Sequence, residues 1–535
     1  MKIILSLLFS ILIISTDWLS ANNVQVTNVI YDNATARVTF DLSWENSWRR
    51  DAVNPYNYDG IWVFVKVREC TEKNLGNPAG FTHAWLSTAP ADHAVSNSAP
   101  NGEVLTVEPA TTNIGGSNRG MGVFIYRAAD GGTSNLSTTV TLQWEKAAQA
   151  AEMAAIDAAD DYDVKVFGIE MVYIPQAAFY AGDGGSNNCF HDATGGTGVP
   201  YQVTSEAAFN VSGTFNRALN DAGGTAINAS FPKGYDSFWI MKYEISQGEY
   251  AAFLNTLTLN QAESRTEDEL FSLPDKRYVM LADNADPPNR QAICFDPTGD
   301  PRTQKFGTDL NDNGILDEAT DGQGIACNYL NLRDVMAYLD WAALRPLTEL
   351  EYEKTCRGTL GAILEENAWG TAEELQVTAI TNSGAATEVA ANNGNGLCNY
   401  DGAVGSDPMR CGYAATASTN RPRAGAAYYG VMDMSGNVHE PYVSFFADPA
   451  NSNNFDGSTG DGELDATGFQ NVTGWPAHAS DADINHFLAK GGNNNRGEVH
   501  LRISDRQNDN NSNYRYTSAA YMDSRNQYGG GRGGR

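Results

Sequence analysis

The chain of 535 residues runs out of cysteine early. It has seven, the last is Cys411, and everything after it lacks a thiol. No CxxC pair occurs, so the spacing of a zinc ribbon or a dithiol redox centre is excluded. Positive charge is scarce as well. Lys and Arg number 35 against 65 Asp and Glu, a net charge of -30. Such a surface repels phosphate backbones and anionic lipid, which argues against nucleic-acid and membrane-surface partners. Long hydrophobic runs are missing beyond the first residues, so no membrane anchor is expected. Catalytic templates are missing too: the seven histidines form no HExxH pair, and no nucleophile elbow, phosphate loop or dinucleotide fingerprint stands in a suitable context.

What is present begins with an export signal. Lys2 supplies a positive start, Ile3 to Ile14 a short apolar core, and Ser20 and Ala21 a small-residue cleavage point. The apolar run is shorter than the roughly 20 residues of a spanning helix. Residues 1–21 are therefore expected to be removed, placing the mature protein in a secreted, periplasmic or cell-surface location. No cysteine near the cleavage point offers a lipid attachment site.

Residues 23–146 alternate apolar and polar positions. NVQVTNVIYDNATARVTFDLSWEN turns at an Asp-Asn pair, and IWVFVKV, MGVFIYRA and TTVTLQWE repeat the rhythm. Strands of this kind separated by Gly, Asn and Pro suggest a β-sandwich of immunoglobulin-like type. The alanine-rich 147–165 reads as a helical linker with little to pack. A second, loop-rich unit follows over 166–535, with the 52 glycines of the chain favouring turns over long helices. Within it Tyr250, Phe253 and Leu254 fall on one helical face and predict core packing. Thr348 followed by Glu351 predicts a capping box. Cys356 reads as a small buried apolar residue. Cys398 and Cys411 bracket a glycine-rich loop and are candidates for a disulfide, equally open to remaining as thiols.

Two stretches of this second unit, GVMDMSGNVHE at 430–440 and AKGGNNNRGEVHLRISDR at 489–506, resemble signatures of the formylglycine-generating, or sulfatase-modifying factor, family. FGIEMVYIPQAAFYAGDG, FWIMKYEISQGEYAAFLNTL, the turn Arg345-Pro346-Leu347-Thr348-Glu349 and the closing GGGRGGR resemble its strands, its first helix, its helix-joining turn and its last strand. In that last strand Gly531 stands where the family carries an aromatic residue. The resemblance implies an α+β class: an N-terminal β-sandwich followed by a loop-rich domain related to C-type lectins. The Glu-Pro-Asn and Gln-Pro-Asp triplets of sugar-binding lectins are absent.

The resemblance also implies chemistry. Members that make formylglycine hold copper on two cysteines a few residues past paired glycines. Counted from Gly491 and Gly492, those positions hold Arg496 and Leu501. A structural calcium is implied at Asp433, Gly436, Val438 and Glu440, side-chain oxygens from the acids and carbonyls from Gly436 and Val438. A second calcium candidate rests on spacing alone: Asp309, Asn311, Asn313 and Asp317 precede Thr320, where a calcium loop would place a glutamate. An Asp/Asn/Gly turn cluster is the equal alternative. Two functional readings follow. One is an exported, non-catalytic, calcium-stabilised module that binds a protein or glycan partner or serves envelope assembly. The other is a metal-dependent oxidase with relocated ligands.

Overall fold

The computed structural model describes residues 23–70, 80–99, 101–185, 189–190, 199–210, 226–267, 269–281, 286–298, 305–444, 455–476, 486–506 and 525–535. The export signal expected at 1–21 lies outside them. Within them no helix is long and apolar enough to cross a membrane. The architecture mixes helices with a larger share of strands.

The N-terminal strands are β1 (Gln25–Asp32), β2 (Arg37–Arg49), β3 (Asp59–Glu69), β4 (Thr82–His83), β5 (Ala94–Val95), β6 (Leu105–Ile114), β7 (Ser117–Arg127) and β8 (Gly131–Gln143). The expected Asp-Asn turn joins β1 to β2: Asp32 accepts from the Ala34 amide at 3.0 Å and the Thr35 hydroxyl at 2.7 Å. One sheet runs β1-β2-β8-β5. Alternate residues of β2, from Val38 through Phe40 and Leu42 to Trp44, are buried, because successive side chains of a strand point to opposite faces. They meet Ile61, Val63, Val65 and Val67 of β3 in one apolar cluster.

β3 is buried along nearly its whole length, on both faces. Its other face, Trp62 and Phe64, belongs to a different cluster that contains Trp239, Leu339 and Trp341. The reason is β9 (Tyr162–Ile174), which pairs with β3 from Glu69↔Tyr162 to Asp59↔Val172 and also with β14 (Phe238–Met241) from Met171↔Met241 to Ile174↔Phe238. One six-stranded sheet therefore holds strands from both ends of the expected boundary, in the order β14-β9-β3-β7-β6 with β4 beside β3. The boundary at 165/166 falls inside a single strand.

Nor does 147–165 lie loose. Its helix α1 (Lys146–Ala150) presents Gln149 to the interior, where the side chain accepts from the Trp85 amide at 3.0 Å and Trp144 Nε1 at 2.7 Å and donates to the His83 carbonyl at 2.7 Å. Ile156 is buried in the first cluster. The alanines themselves, Ala147, Ala148, Ala151, Ala154, Ala155, Ala158 and Ala159, stay exposed, so Gln149 and Ile156 hold the segment down.

Beyond β9 come the short pairs β10 (Phe179–Ala181) with β11 (Tyr201–Val203) and β12 (Phe209–Asn210) with β13 (Ala226–Ile227). After β14 follow helices α2 (Gln247–Leu254) and α3 (Leu259–Glu263), the three-stranded β15 (Arg277–Tyr278), β16 (Ile293–Phe295) and β17 (Phe306–Thr308), and helices α4 (Leu332–Trp341) and α5 (Glu349–Arg357). Each of these four helices opens with a capping box, Ser246 with Glu249, Thr258 with Gln261, Asn331 with Asp334 and Thr348 with Glu351. Tyr250, Phe253 and Leu254 are buried.

The last strands are β18 (Leu375–Gln376), β19 (Ile380–Thr381), β20 (Val389–Ala390), β21 (Leu397–Cys398), β22 (Glu440–Val443) and β23 (Phe487–Lys490). The glycine-rich tail closes the fold. Trp239 and Arg535 exchange both main-chain hydrogen bonds, as do Arg345 and Gly534, and Met241 donates to the Gly533 carbonyl. A Cβ on Gly533 would come within 2.2 Å of Leu339, and one on Gly530 within 2.3 Å of Val438. The glycines are there because the tail threads between packed side chains.

Candidate functional site

The two signature stretches meet at β22 and β23, antiparallel neighbours with Glu440 opposite Lys490. The turn before β22 is tightly bent: Asp433, Gly436 and Asn437 all have positive φ, 57°, 92° and 65°. A Cβ on Gly436 would stand 2.3 Å from Cys398 Sγ, so only glycine fits beside that thiol. The Gly436 amide donates to the Gly491 carbonyl at 2.7 Å, and the Asn494 amide to the Asn437 carbonyl at 2.8 Å. The paired glycines and the turn thus share one main-chain network.

The basin expected to carry redox chemistry is lined with amides. Asn493 Nδ2 lies 3.3 Å from His439 Nδ1, Ser406 donates to Asn495 at 2.9 Å, and Asn495 donates to the Tyr528 hydroxyl at 3.0 Å. His439 is buried, and burial with Arg496 nearby pushes it down to about 4. His500 Nδ1 sits 3.1 Å from Asp505. Leu501 is fully buried and packs with Trp369 and Cys398. Folding therefore packs one thiol, Cys398, against the leucine that takes the place of an expected copper ligand.

That thiol is unsuited to the task. Cys398 donates to the Ser435 carbonyl at 2.9 Å, and burial pushes it well above the usual thiol range. A protonated, enclosed sulfur is neither a nucleophile nor a ready ligand. All seven cysteines are free, so the disulfide considered between Cys398 and Cys411 is not made; Cys411 instead faces the Glu244 carbonyl at 3.4 Å. Cys356 is buried as expected. A copper pair does not fit these residues: Arg496 has no lone pair to give, Leu501 is hydrocarbon, and Cys398 stands alone.

The calcium residues are more mixed. Asp433 accepts from the Gly412 amide at 2.5 Å, and burial pushes it up to about 6. Glu440 is engaged by Arg532, whose Nε and Nη2 donate at 2.8 to 3.0 Å, and by the Tyr442 hydroxyl at 2.6 Å. The Val438 amide donates to Glu244 at 3.1 Å, and Asn437 Nδ2 donates to the same carboxylate at 2.7 Å. Glu244 is completely buried and pushed well up by burial, then by Asp433 and Glu440. Three carboxylates set against the guanidinium groups of Arg532 and, near Asp433, Arg410 leave one negative charge over, which a proton or a cation would balance. Among the described residues no three His, Cys, Asp or Glu side chains are grouped to hold a metal ion. Carbonyl and amide oxygens would have to complete any shell.

Glu244 carries no motif beyond its place in the strand-to-helix segment, and sequence reasoning missed it. Asn399 was missed as well. It is fully buried, donates to Asn437 Oδ1 at 3.2 Å, and its own Oδ1 has no hydrogen-bond partner.

The second candidate loop is drawn together by a lysine. Lys276 Nζ bridges Asp309 and Asp312, the latter at 3.0 Å. Asp309 also accepts from the Asn313 and Gly314 amides at 3.1 and 3.0 Å, Asn311 donates to Asp321 at 2.6 Å, and Asp317 accepts from the Thr308 amide at 2.9 Å. An ammonium group thus holds Asp309, one of the four candidate ligands, together with its neighbour Asp312.

A family model for the sulfatase-modifying factor enzyme 1-like domain matches residues 211–516. This is more than half of the chain, which belongs to that family. Among curated proteins, none matches it. A similar solved structure is described as "pH-induced modulation of Streptococcus parasanguinis adhesion by Fap1 fimbriae". It is 14% identical, covering 33% of this chain and 71% of that one, with a TM-score of 0.13, too low to support any argument about the fold.

Proposed function

We propose that this chain is an exported, non-catalytic member of the sulfatase-modifying factor family: a calcium-stabilised module that binds a partner outside the cytoplasm or serves envelope assembly. The observation that carries the reading is the occupancy of the two copper-cysteine positions by Arg496 and the buried Leu501. An immunoglobulin-like sandwich at the N-terminus and a C-type-lectin-like family domain are the finer arrangement we infer. The two stacked apolar faces of the first cluster and the capped helices beside short, loop-joined strands support it.

The deciding experiment is incubation of the protein with a cysteine-containing sulfatase-type peptide, copper and oxygen. The peptide is expected to keep its thiol by mass spectrometry. Gain of an aldehyde would overturn the non-catalytic reading and bring back the oxidase with relocated ligands, for which Cys398 would be the first residue to replace.

Calcium is proposed at Asp433, Gly436, Val438 and Glu440 on the strength of the surplus of carboxylate over guanidinium around Glu244. Chelation is expected to lower the melting temperature of the wild type, and Asp433→Ala to lower it further while abolishing the response to calcium. An identical melt with and without chelator removes calcium from the account. The loop at Asp309, Asn311, Asn313 and Asp317 is expected to contribute nothing to that response, because Lys276 already holds Asp309, the first of its carboxylates.

Export is proposed from the first 21 residues. The N-terminus of material recovered outside the cytoplasm is expected to begin after Ala21, and recovery of chains still starting at Met1 counts against it.

A further inference from the structure

Between the end of β2 and the segment 410–432 lies a cleft of about 740 Å³, within the range of small-molecule sites and, as is common for them, between two structural units. None of residues 490–506 lines it. Its composition is unlike that of the rest of the chain. Four cations line it, Arg50, Lys242, Arg410 and Arg421, against the one carboxylate of Glu45. In a protein with 30 surplus acids that reversal calls for a reason.

Lys242 is matched by Glu170 at 2.7 Å. Among the described residues no side-chain ion pair holds the other three, although Asp433 lies near Arg410 and Glu366 near Arg421. Arg410 donates to the carbonyls of Glu388, Cys411 and Gly412, and Arg421 to those of Cys356, Ala368 and Ala426. Arg50 is exposed. Main-chain carbonyls fix these two half-buried guanidinium groups in place without neutralising them, so they still present positive charge to the cleft.

The walls are aromatic and polar. Trp48 and Tyr428 are partly exposed there. Gly430, at φ 88°, keeps the indole clear, since a Cβ at that position would stand 3.3 Å from the Trp48 ring. Tyr429 lies beneath, and its buried hydroxyl has no hydrogen-bond partner. Among the described residues that line it there is no Leu, Ile, Val or Phe; the remainder are mainly Asn, Thr, Ala and Gly. That composition suits neither a lipid nor the apolar side chains of a peptide.

We propose that this cleft binds an acidic saccharide, a sugar chain carrying carboxylates. The proposal rests on the binding reading given above. Ring C–H faces would lie against Trp48 and Tyr428, hydroxyls would meet the Asn and Thr side chains, and carboxylates would meet the guanidinium groups.

The test is titration of the full-length protein with trigalacturonate, with a neutral trisaccharide and with a tri-glutamate peptide, read by calorimetry and tryptophan fluorescence. Saturable binding of the uronate is expected, at least tenfold tighter than either control. Trp48→Ala and Arg50→Glu are each expected to weaken it at least tenfold. Arg50 is on the surface, so its reversal tests charge without disturbing the fold. Absence of saturation at millimolar uronate overturns the proposal, as do equal affinity for the neutral sugar or for the peptide, or indifference to both substitutions. The outcome is separable from the catalytic question: a peptide aldehyde in the sulfatase assay sinks the non-catalytic reading whatever the cleft binds, and failure of the uronate alone leaves that reading intact.

Discussion

Replacing Arg532 by alanine is expected to destabilise the protein by about 3–5 kcal/mol, the cost of leaving buried charge without its partner. Arg532 is buried to 1% and holds Glu440 through both Nε and Nη2. Its remaining donors reach the carbonyls of Met241, Lys242 and Met432 at 2.8 to 3.0 Å. Removing it strands Glu440 beside Glu244 and Asp433, three carboxylates in one enclosed space, and takes a donor from each of the three carbonyls, of which that of Lys242 keeps the Met432 amide at 2.9 Å. Arg532→Lys keeps the charge but not the planar fork, and is expected to recover only part of the loss. The double replacement Arg532→Met with Glu440→Gln removes both charges and is expected to be less harmful than either single change. Thermal melts in chelator, so that no divalent cation takes the guanidinium's place, make the comparison. A single variant within about 1 kcal/mol of wild type would mean the pair is solvated and the argument about surplus charge is wrong.

That pair spans 92 positions along the chain, and this is why sequence alone could not place it. Local signals were legible. The capping box at Thr348 and Glu351, the buried face of Tyr250, Phe253 and Leu254, and the tight turn at Gly436 all follow from residues within a few positions of one another. The missing copper ligands were legible for the same reason, since Arg496 and Leu501 are counted from adjacent glycines. What the local pattern leaves out is who answers a charge. Asp309 and Asn311 look like a calcium loop, and nothing near them in the chain announces that Lys276, 33 positions away from Asp309, pairs with its carboxylate.

The architecture followed the same rule. IWVFVKV reads as one strand of a sandwich, yet a strand apolar at every position but Lys66 is one covered on both faces. That signal stood in the sequence. What it could not reveal was which segment covers the second face, because Trp62 donates to the Ala342 carbonyl across 280 positions, at 2.9 Å. The alanine-rich 147–165 looked like a linker because alanine carries no periodic signature, while Gln149 makes its contacts through hydrogen bonds that no hydropathy pattern records.

The strongest consequence of that seam is that residues 166–535 produced alone are expected not to fold to a stable state. The cut removes β3, the whole partner of β9 along one edge, together with the first four residues of β9 itself. It exposes Trp239, which stacks on Phe124 at 4.3 Å between ring centres, and Trp341, which meets Phe64 at 5.1 Å. Arg535 loses the Trp62 ring it covers at 4.4 Å. Deleting Trp62, Phe64 and Phe124 as buried side chains forfeits about 2–3 kcal/mol each, a sum comparable with the roughly 5–15 kcal/mol by which a whole domain is stable. The bared edge of β9, with Phe167, Ile169 and Met171 beside it, is also a template for pairing between chains. The isolated segment should therefore bind a hydrophobic dye, lose near-ultraviolet dichroism, aggregate and show no cooperative melt. The full chain should melt with the two regions together and resist proteolysis between residues 146 and 175. A soluble 166–535 monomer that melts cooperatively at the temperature of the full chain would show that the shared sheet is a contact between independent domains, and that β3 covers a surface the family domain can leave open.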